Sequence, residues 1–280
     1  MVSWRIWFIA FCLTAIAAGG QANATNGTYV FVNDGFGQIE NLPLDESLYT
    51  EMRAATFRPA PGFELEPMCD SAFAIIQKMP NIEQLSISCL TDPLTERTAR
   101  MISNCKKLKV LFIEHATVSH EAVPVLLGIP LDALLINCVP IAEHLKFLNR
   151  EKLRNLTLRH CGLQNREATA ISDSPNLQYL DVQGNEYITR GFVVQLGALK
   201  SLKVLLVEAA ELSIDDCHKI IASFPKLEYT TAKTSVDGEA LLVSRLAGLS
   251  LLHSFNGASP LWGMERDSKD NQRNLEKRSD

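Results

Sequence analysis

The chain has 280 residues, 46% of them apolar, and carries 27 Lys+Arg against 32 Asp+Glu. That apolar share suits a packed domain and excludes a chain disordered throughout. The mild acidity argues against a nucleic-acid binder, which normally presents a basic face.

The first 24 residues read as a secretory signal. Arg5 supplies the positive start, residues 6–18 form an uncharged, mostly apolar run, and Ala22-Asn23-Ala24 fits the small-x-small cleavage pattern. A run of 13 residues falls short of the roughly 20 needed to span a bilayer as a helix, which disfavours the rival reading of an uncleaved anchor. Cys12, preceded by Phe11, is a poor match to a lipoprotein processing site. The expected mature chain begins near Thr25, is secreted or periplasmic, and has no stable membrane insertion once the signal is removed.

Residues 25–79 are expected to form an N-terminal capping segment. Within it, 29–32 suit an edge strand, 45–55 a helix, 59–62 a Pro/Gly break, and 66–78 the helix of an atypical first unit. Such caps are expected because a repeat array exposes its core at both ends.

The array itself, residues 80–262 with its C-terminal cap, is set by one frame. L-x-x-L-x-L-x-x-C-x-L is intact at Leu153, Leu156, Leu158, Cys161 and Leu163. It recurs with asparagine in the ninth slot at Leu177, Leu180, Val182, Asn185 and Tyr187. Looser copies start at Ile82, Leu108, Leu131, Leu202, Leu227 and Leu251, at spacings of 26, 23, 22, 24, 25, 25 and 24 residues. This period is that of leucine-rich repeats. Positions 4 and 6 point inward along a short strand, positions 3, 5 and 7 outward. Positions 1, 9 and 11 turn the chain back across the core. Asn185 should satisfy free backbone groups of that turn, with Cys161 as a small buried thiol in the same slot.

Helical spacing appears between the strands, over residues 119–128, 141–149, 165–172, 189–197, 213–224 and 237–246. Ser119, Thr189 and Ser213 suit N-caps. Pro80, Pro130, Pro175 and Pro225 follow helical stretches, where proline ends a helix at little cost. From Leu227 the frame decays, with Thr230 and Ala232 in core slots, and the cap should end near Trp262. Residues 263–280 are expected to be a disordered charged tail; from Met264 onward there are five acidic and five basic residues, one leucine and no aromatic.

Residues 153–163 (LRNLTLRHCGL) and 174–192 (SPNLQYLDVQGNEYITRGF) make the chain resemble the ribonuclease-inhibitor-like and cysteine-containing leucine-rich-repeat proteins. The resemblance covers roughly residues 82–251. It implies an α/β fold, a right-handed solenoid or horseshoe with parallel strands on the concave face and helices on the convex one. It also implies a binding scaffold rather than an enzyme. Cysteine-containing repeats occur in F-box ubiquitin-ligase subunits, but no F-box is apparent and the signal peptide contradicts that setting.

The frame names the concave columns. Position 3 is Gln84, Val110, Ala133, Asn155, Tyr179, Val204 and Tyr229; position 5 is Ser86, Phe112, Leu135, Thr157, Asp181, Leu206 and Thr231; position 7 is Ser88, Glu114, Asn137, Arg159, Gln183, Glu208 and Lys233. Val110, Phe112 and Leu135 form an apolar patch beside Arg159, Tyr179 and Asp181, and Gln183 and Glu208 extend it. An apolar anchor flanked by tyrosine and arginine is a common binding composition. These eight residues are the expected partner-binding set. The alternative is solvent-facing filler, or a surface covered by a terminal segment. Asn155-Leu156-Thr157 is a glycosylation sequon, as are those starting at Asn23 and Asn26; used, the first would obstruct this face.

Position 8 reads Cys89, His115, Cys138 and His160 in four successive repeats. Such a column offers soft-metal donors, but zinc needs three or four converging within about 2.0–2.3 Å, and a straight column brings two or three near. Independent turn residues are the simpler reading, and neither a metal nor any other cofactor is expected. A cysteine nucleophile there would have no named orienting group or oxyanion donor. No phosphate loop, paired-carboxylate, zincin or nucleophile-elbow motif is present. The six cysteines after the signal lack the terminal clusters of extracellular caps. Buried free thiols are expected, with a bridge from Cys69 to Cys89 or Cys105 the pairing to test.

The leading expectation is therefore an exported, non-catalytic scaffold that binds a protein partner through its concave face. The alternative is a structural component of an envelope or extracellular assembly; a metal-dependent enzyme comes third.

Overall fold

A computed structural model describes residues 49–59, 73–88, 92–207, 219–220 and 222–233, together with the strands at 28–33, 38–39 and 240–244. One sheet runs through all of it. The strands are β1 (Thr28–Asn33), β2 (Gln38–Ile39), β3 (Ala54–Pro59), β4 (Gln84–Ser88), β5 (Val110–Glu114), β6 (Ala133–Asn137), β7 (Asn155–Arg159), β8 (Tyr179–Asp181), β9 (Val204–Leu206), β10 (Tyr229–Lys233) and β11 (Ala240–Ser244). Their spatial order is β11-β10-β9-β8-β7-β6-β5-β4-β3-β1-β2. The eight strands from β3 to β10 are parallel; β1, β2 and β11 close the two ends antiparallel.

The register is the frame made physical. Position 4 aligns as Leu85↔Leu111↔Leu134↔Leu156↔Leu180↔Leu205, and every one of these leucines is buried. Position 6 (Ile87, Ile113, Ile136, Leu158, Val182, Val207) and position 1 (from Ile82 to Leu227) fill the same core. Each unit returns through helix: α1 (Glu96–Ser103), α2 (Ala122–Leu127), α3 (Ala168–Ser172) and α4 (Arg190–Gln195), with 3-10 turns at Ala74–Lys78, Ala142–Phe147, Asn165–Glu167 and Leu196–Ala198. Strands repeat at about 4.8 Å while packed helices need about 8–10 Å, so the layered stack curves with the sheet inside. The architecture is the expected α/β leucine-rich-repeat solenoid.

Capping follows the residue types. The Ser119 hydroxyl accepts the Ala122 N–H at 3.3 Å, and the Thr189 hydroxyl accepts the Gly191 N–H at 3.2 Å. Ser213 lies outside the described residues. Asn185 forms the ladder: its Oδ1 accepts the N–H groups of Cys161 and Leu163 at 2.9 and 3.0 Å, and its Nδ2 donates to the carbonyls of Leu158 and Val182 at 2.7 and 2.8 Å.

Several expectations fail locally. Residues 240–244 form a strand on β10, not part of a helix. The run Ala240-Leu241-Leu242-Val243 satisfies either period, and the open edge of β10 decides. Residues 54–55, expected to be helical, begin β3, which extends the parallel array upstream of Ile82. The strand at 28–33 is flanked on both sides, by β2 and β3, so it is not an edge. Helix α1 falls outside the expected helical stretches: of its buried residues Thr98, Ala99, Met101 and Ile102, the first two carry little apolar signal. Tyr187, expected inside as position 11, is 66% exposed, and Ile188 is buried instead. Cys105 is a free thiol, which removes its pairing with Cys69; Cys69 and Cys89 lie outside the described residues, as do the signal segment and the charged tail. Among the described residues, no helix is long and apolar enough to cross a membrane.

Candidate functional site

The sheet's outward columns assemble most of the expected set. Phe112 on β5 and Leu135 on β6 are direct register neighbours, as are Val110 and Ala133. Leu135 is followed by Thr157 on β7 and Asp181 on β8. Val110, Phe112, Leu135, Arg159, Tyr179 and Gln183 are half-buried, as pleated side chains supported by their lateral neighbours should be. Glu208 lies outside the described residues.

A polar network borders the apolar patch. Arg159 Nε donates to Asp181 Oδ2 at 2.8 Å, and Arg159 Nη2 donates to Gln183 Oε1 at 3.1 Å. The Tyr179 hydroxyl donates to Asp181 Oδ2 at 3.3 Å, and the Gln183 N–H donates to Asp181 Oδ1 at 3.2 Å. Asp181 is only 1% exposed. Its carboxylate is therefore a support beneath Arg159, Tyr179 and Gln183, which stand nearer the surface. In the position-7 column, Asn137 Nδ2 donates to Glu114 Oε1 at 2.7 Å.

At the far end the outward columns are not surface. Val204, Leu206 and Thr231 are buried, although the frame places them outward. Thr231 turns its hydroxyl to the backbone, accepting the Val207 N–H at 2.8 Å and donating to the Val207 carbonyl at 3.1 Å. The accessible part of the face thus centres on β4 to β8.

Position 8 has a backbone explanation. His115, Cys138, His160 and Gly184 have φ of 47°, 57°, 51° and 72°, the left-handed step that ends each strand. The N–H groups of the first three donate to the position-7 carbonyls of the next unit, Asn137, Arg159 and Gln183, at 3.0, 3.0 and 3.2 Å. The column is a row of turns. A Cβ on Gly184 would lie 2.2–2.5 Å from the His160 imidazole, so that ring lies against the glycine. Cys138 is half-buried. Cys161 is buried, and burial pushes its thiol up to about 12; neither it nor Cys105, held at about 11 by burial, is poised as a nucleophile.

The frame conceals another arrangement. His120 and Glu143 each lie twelve residues after a frame start, Leu108 and Leu131, and His144 follows at once. His144 Nε2 and His120 Nδ1 are 3.2 Å apart. Glu143 Oε1 is 3.6 Å from His120 Nδ1 and 3.4 Å from His144 Nε2. Among the described residues, this is the one group of three metal-ligating side chains that converge. His120 and Glu143 thus share a place that none of the frame's slots marks, His120 in the loop before α2 and Glu143 inside the 3-10 turn Ala142–Phe147.

No family model matches the chain, and no curated protein matches it. Among solved structures it is similar to one described as the crystal structure of a Rad7 and Elc1 complex in yeast. Identity there is 16%, with a TM-score of 0.47, covering 57% of this chain and 46% of that one. The chain thus spans less than half the length of that relative.

Proposed function

We propose that this protein is an exported, non-catalytic scaffold that binds a protein partner through the inner face of its sheet. The observation that carries the reading is the juxtaposition on β5 to β8. Val110, Phe112 and Leu135 supply an apolar anchor, and the Arg159–Asp181–Gln183 network beside it supplies fixed polar groups. Desolvated apolar centres with a tyrosine and an arginine alongside are where binding energy concentrates. A rigid repeat lattice presents them without an ordering cost.

We infer export from the composition of residues 1–24, and with it a mature protein in the periplasm or outside the cell. The strand-plus-helix unit, with Cys161 and Asn185 sharing one slot of the ladder, supports the ribonuclease-inhibitor-like or cysteine-containing repeat type. Glu208 belongs to the proposed contact set by its place in the position-7 column.

The test is affinity capture from envelope or extracellular extract, comparing the mature chain with Phe112→Ser/Leu135→Ser. Val194→Ser serves as a control on α4, and melting points of all three check folding. A partner retained by the control and lost by the double variant supports the reading. A partner held equally by all three removes it. The second reading, a structural component whose helix side makes the contacts, draws on Phe147 and Val194, which are exposed on that layer. It predicts loss in Val194→Ser instead.

A further inference from the structure

We propose that His120, Glu143 and His144 form a three-ligand site for a divalent ion of the zinc class. It lies where the loop before α2 meets the 3-10 turn Ala142–Phe147, away from the sheet face.

The three donor–donor distances are 3.2, 3.6 and 3.4 Å. Around zinc, at metal–ligand lengths of about 2.0–2.2 Å, the edges of a tetrahedron measure about 3.3–3.6 Å. The triangle already has nearly the size that one ion requires. Two imidazoles and a carboxylate are also a donor set that borderline divalent metals accept. With each ring carrying its proton on the far nitrogen, both facing nitrogens present lone pairs. One carboxylate then offsets half of the ion's charge.

Burial divides the labour. The His144 side chain is 7% exposed, and its backbone N–H is held by the Ile141 carbonyl at 2.9 Å, so this ligand is fixed by the fold. His120 and Glu143 are 69% and 70% exposed. They leave the outer side of the site to water, which would supply the fourth position. The rings meet edge to face, with centroids 4.3 Å apart and planes at 71°. The competing account of the geometry is a histidine pair joined by one hydrogen bond with a carboxylate at its edge, and it requires no ion.

The two accounts separate in a titration of the metal-free full chain with Zn(II) alone, read by competition with a chromophoric chelator. Thermal melting is recorded with and without the ion. The site predicts one equivalent bound by the unaltered chain, and affinity about 10-fold or more weaker in His120→Ala and in Glu143→Gln. Both substitutions fall on exposed side chains and spare the core. It also predicts a zinc-dependent rise in melting temperature that these variants lose, while Cys138→Ser binds as the parent does. Zinc binding no tighter in the parent than in His120→Ala would overturn the proposal. So would binding that survives His120→Ala and vanishes in Cys138→Ser.

Discussion

Arg159 and Asp181 are joined across neighbouring strands through a single carboxylate oxygen, with Arg159 Nε at 2.8 Å and Nη2 at 2.6 Å from Asp181 Oδ2. The arginine reaches the surface and the aspartate does not, so the pair fixes part of the sheet face from below.

That asymmetry predicts an outcome for truncation. Arg159→Ala would leave the buried carboxylate with only neutral partners among the described residues, and should cost about 2–4 kcal/mol in urea unfolding. Adding Asp181→Asn removes the stranded charge and should recover about 1 kcal/mol or more of that loss. Purely additive effects would show that the two residues do not act as a pair. An arginine substitution here is also a poor binding probe, because it changes stability; Phe112 and Leu135 are cleaner positions.

Asn185 tests the ladder. Its side chain satisfies two buried N–H groups and two buried carbonyls at 3.0 Å or less. Asn185→Ala leaves these groups unpaired, and should destabilise the chain by about 3 kcal/mol or more, with fast amide exchange at Cys161 and Leu163. Unchanged protection at those two amides would refute this account of the turn.

Glu83 sets a pH dependence. It is buried between Lys109 and Arg53, with Nζ of the first at 2.6 Å and Nη1 of the second at 2.7 Å. The Lys109 hydrogen bond, against the opposing effect of burial and with further help from Arg53, holds its carboxyl below the ordinary 4.5. A lowered folded value means the contribution is present above 4.5 and is lost as pH falls through that lower value. Both cations are largely exposed, so the contribution is about 1 kcal/mol. Glu83→Gln should therefore melt earlier than the parent at pH 7, and the difference should shrink below pH 4.5. A gap that stayed constant down to pH 3 would contradict it.

Thr230 predicts a gain. Its side chain is fully buried, and its hydroxyl has no hydrogen-bond partner among the described residues. Thr230→Val keeps the shape, removes the stranded hydroxyl, and should raise stability by about 1 kcal/mol. A lower melting temperature would show that the hydroxyl is satisfied in solution.

The frame made the middle of this fold legible because each unit repeats the same physical problem. Six leucines in slot 4 and an asparagine in slot 9 have one arrangement that buries them all. The ends were harder to read, since end strands lack a repeat to copy: Ala240–Ser244 carries no frame and takes its structure from the free edge of β10. The apolar and polar halves of the candidate face could be named from slots 3, 5 and 7. The burial of Asp181, Leu206 and Thr231 could not, because slot parity gives direction and says nothing of what lies above. His120, Glu143 and His144 sit outside the slots altogether. Their meeting depends on the loop before α2 and the next 3-10 turn lying side by side, which only a comparison of equivalent loop positions would have suggested.

The central claim is that the sheet face holds the partner. Its most direct test is photo-crosslinking with a photoreactive residue placed at position 135 on β6 or at position 194 on α4, in otherwise unaltered chains incubated with the captured partner. The account predicts a covalent adduct from position 135 and none from position 194. An adduct from position 194 alone would place the partner on the helix layer and contradict it.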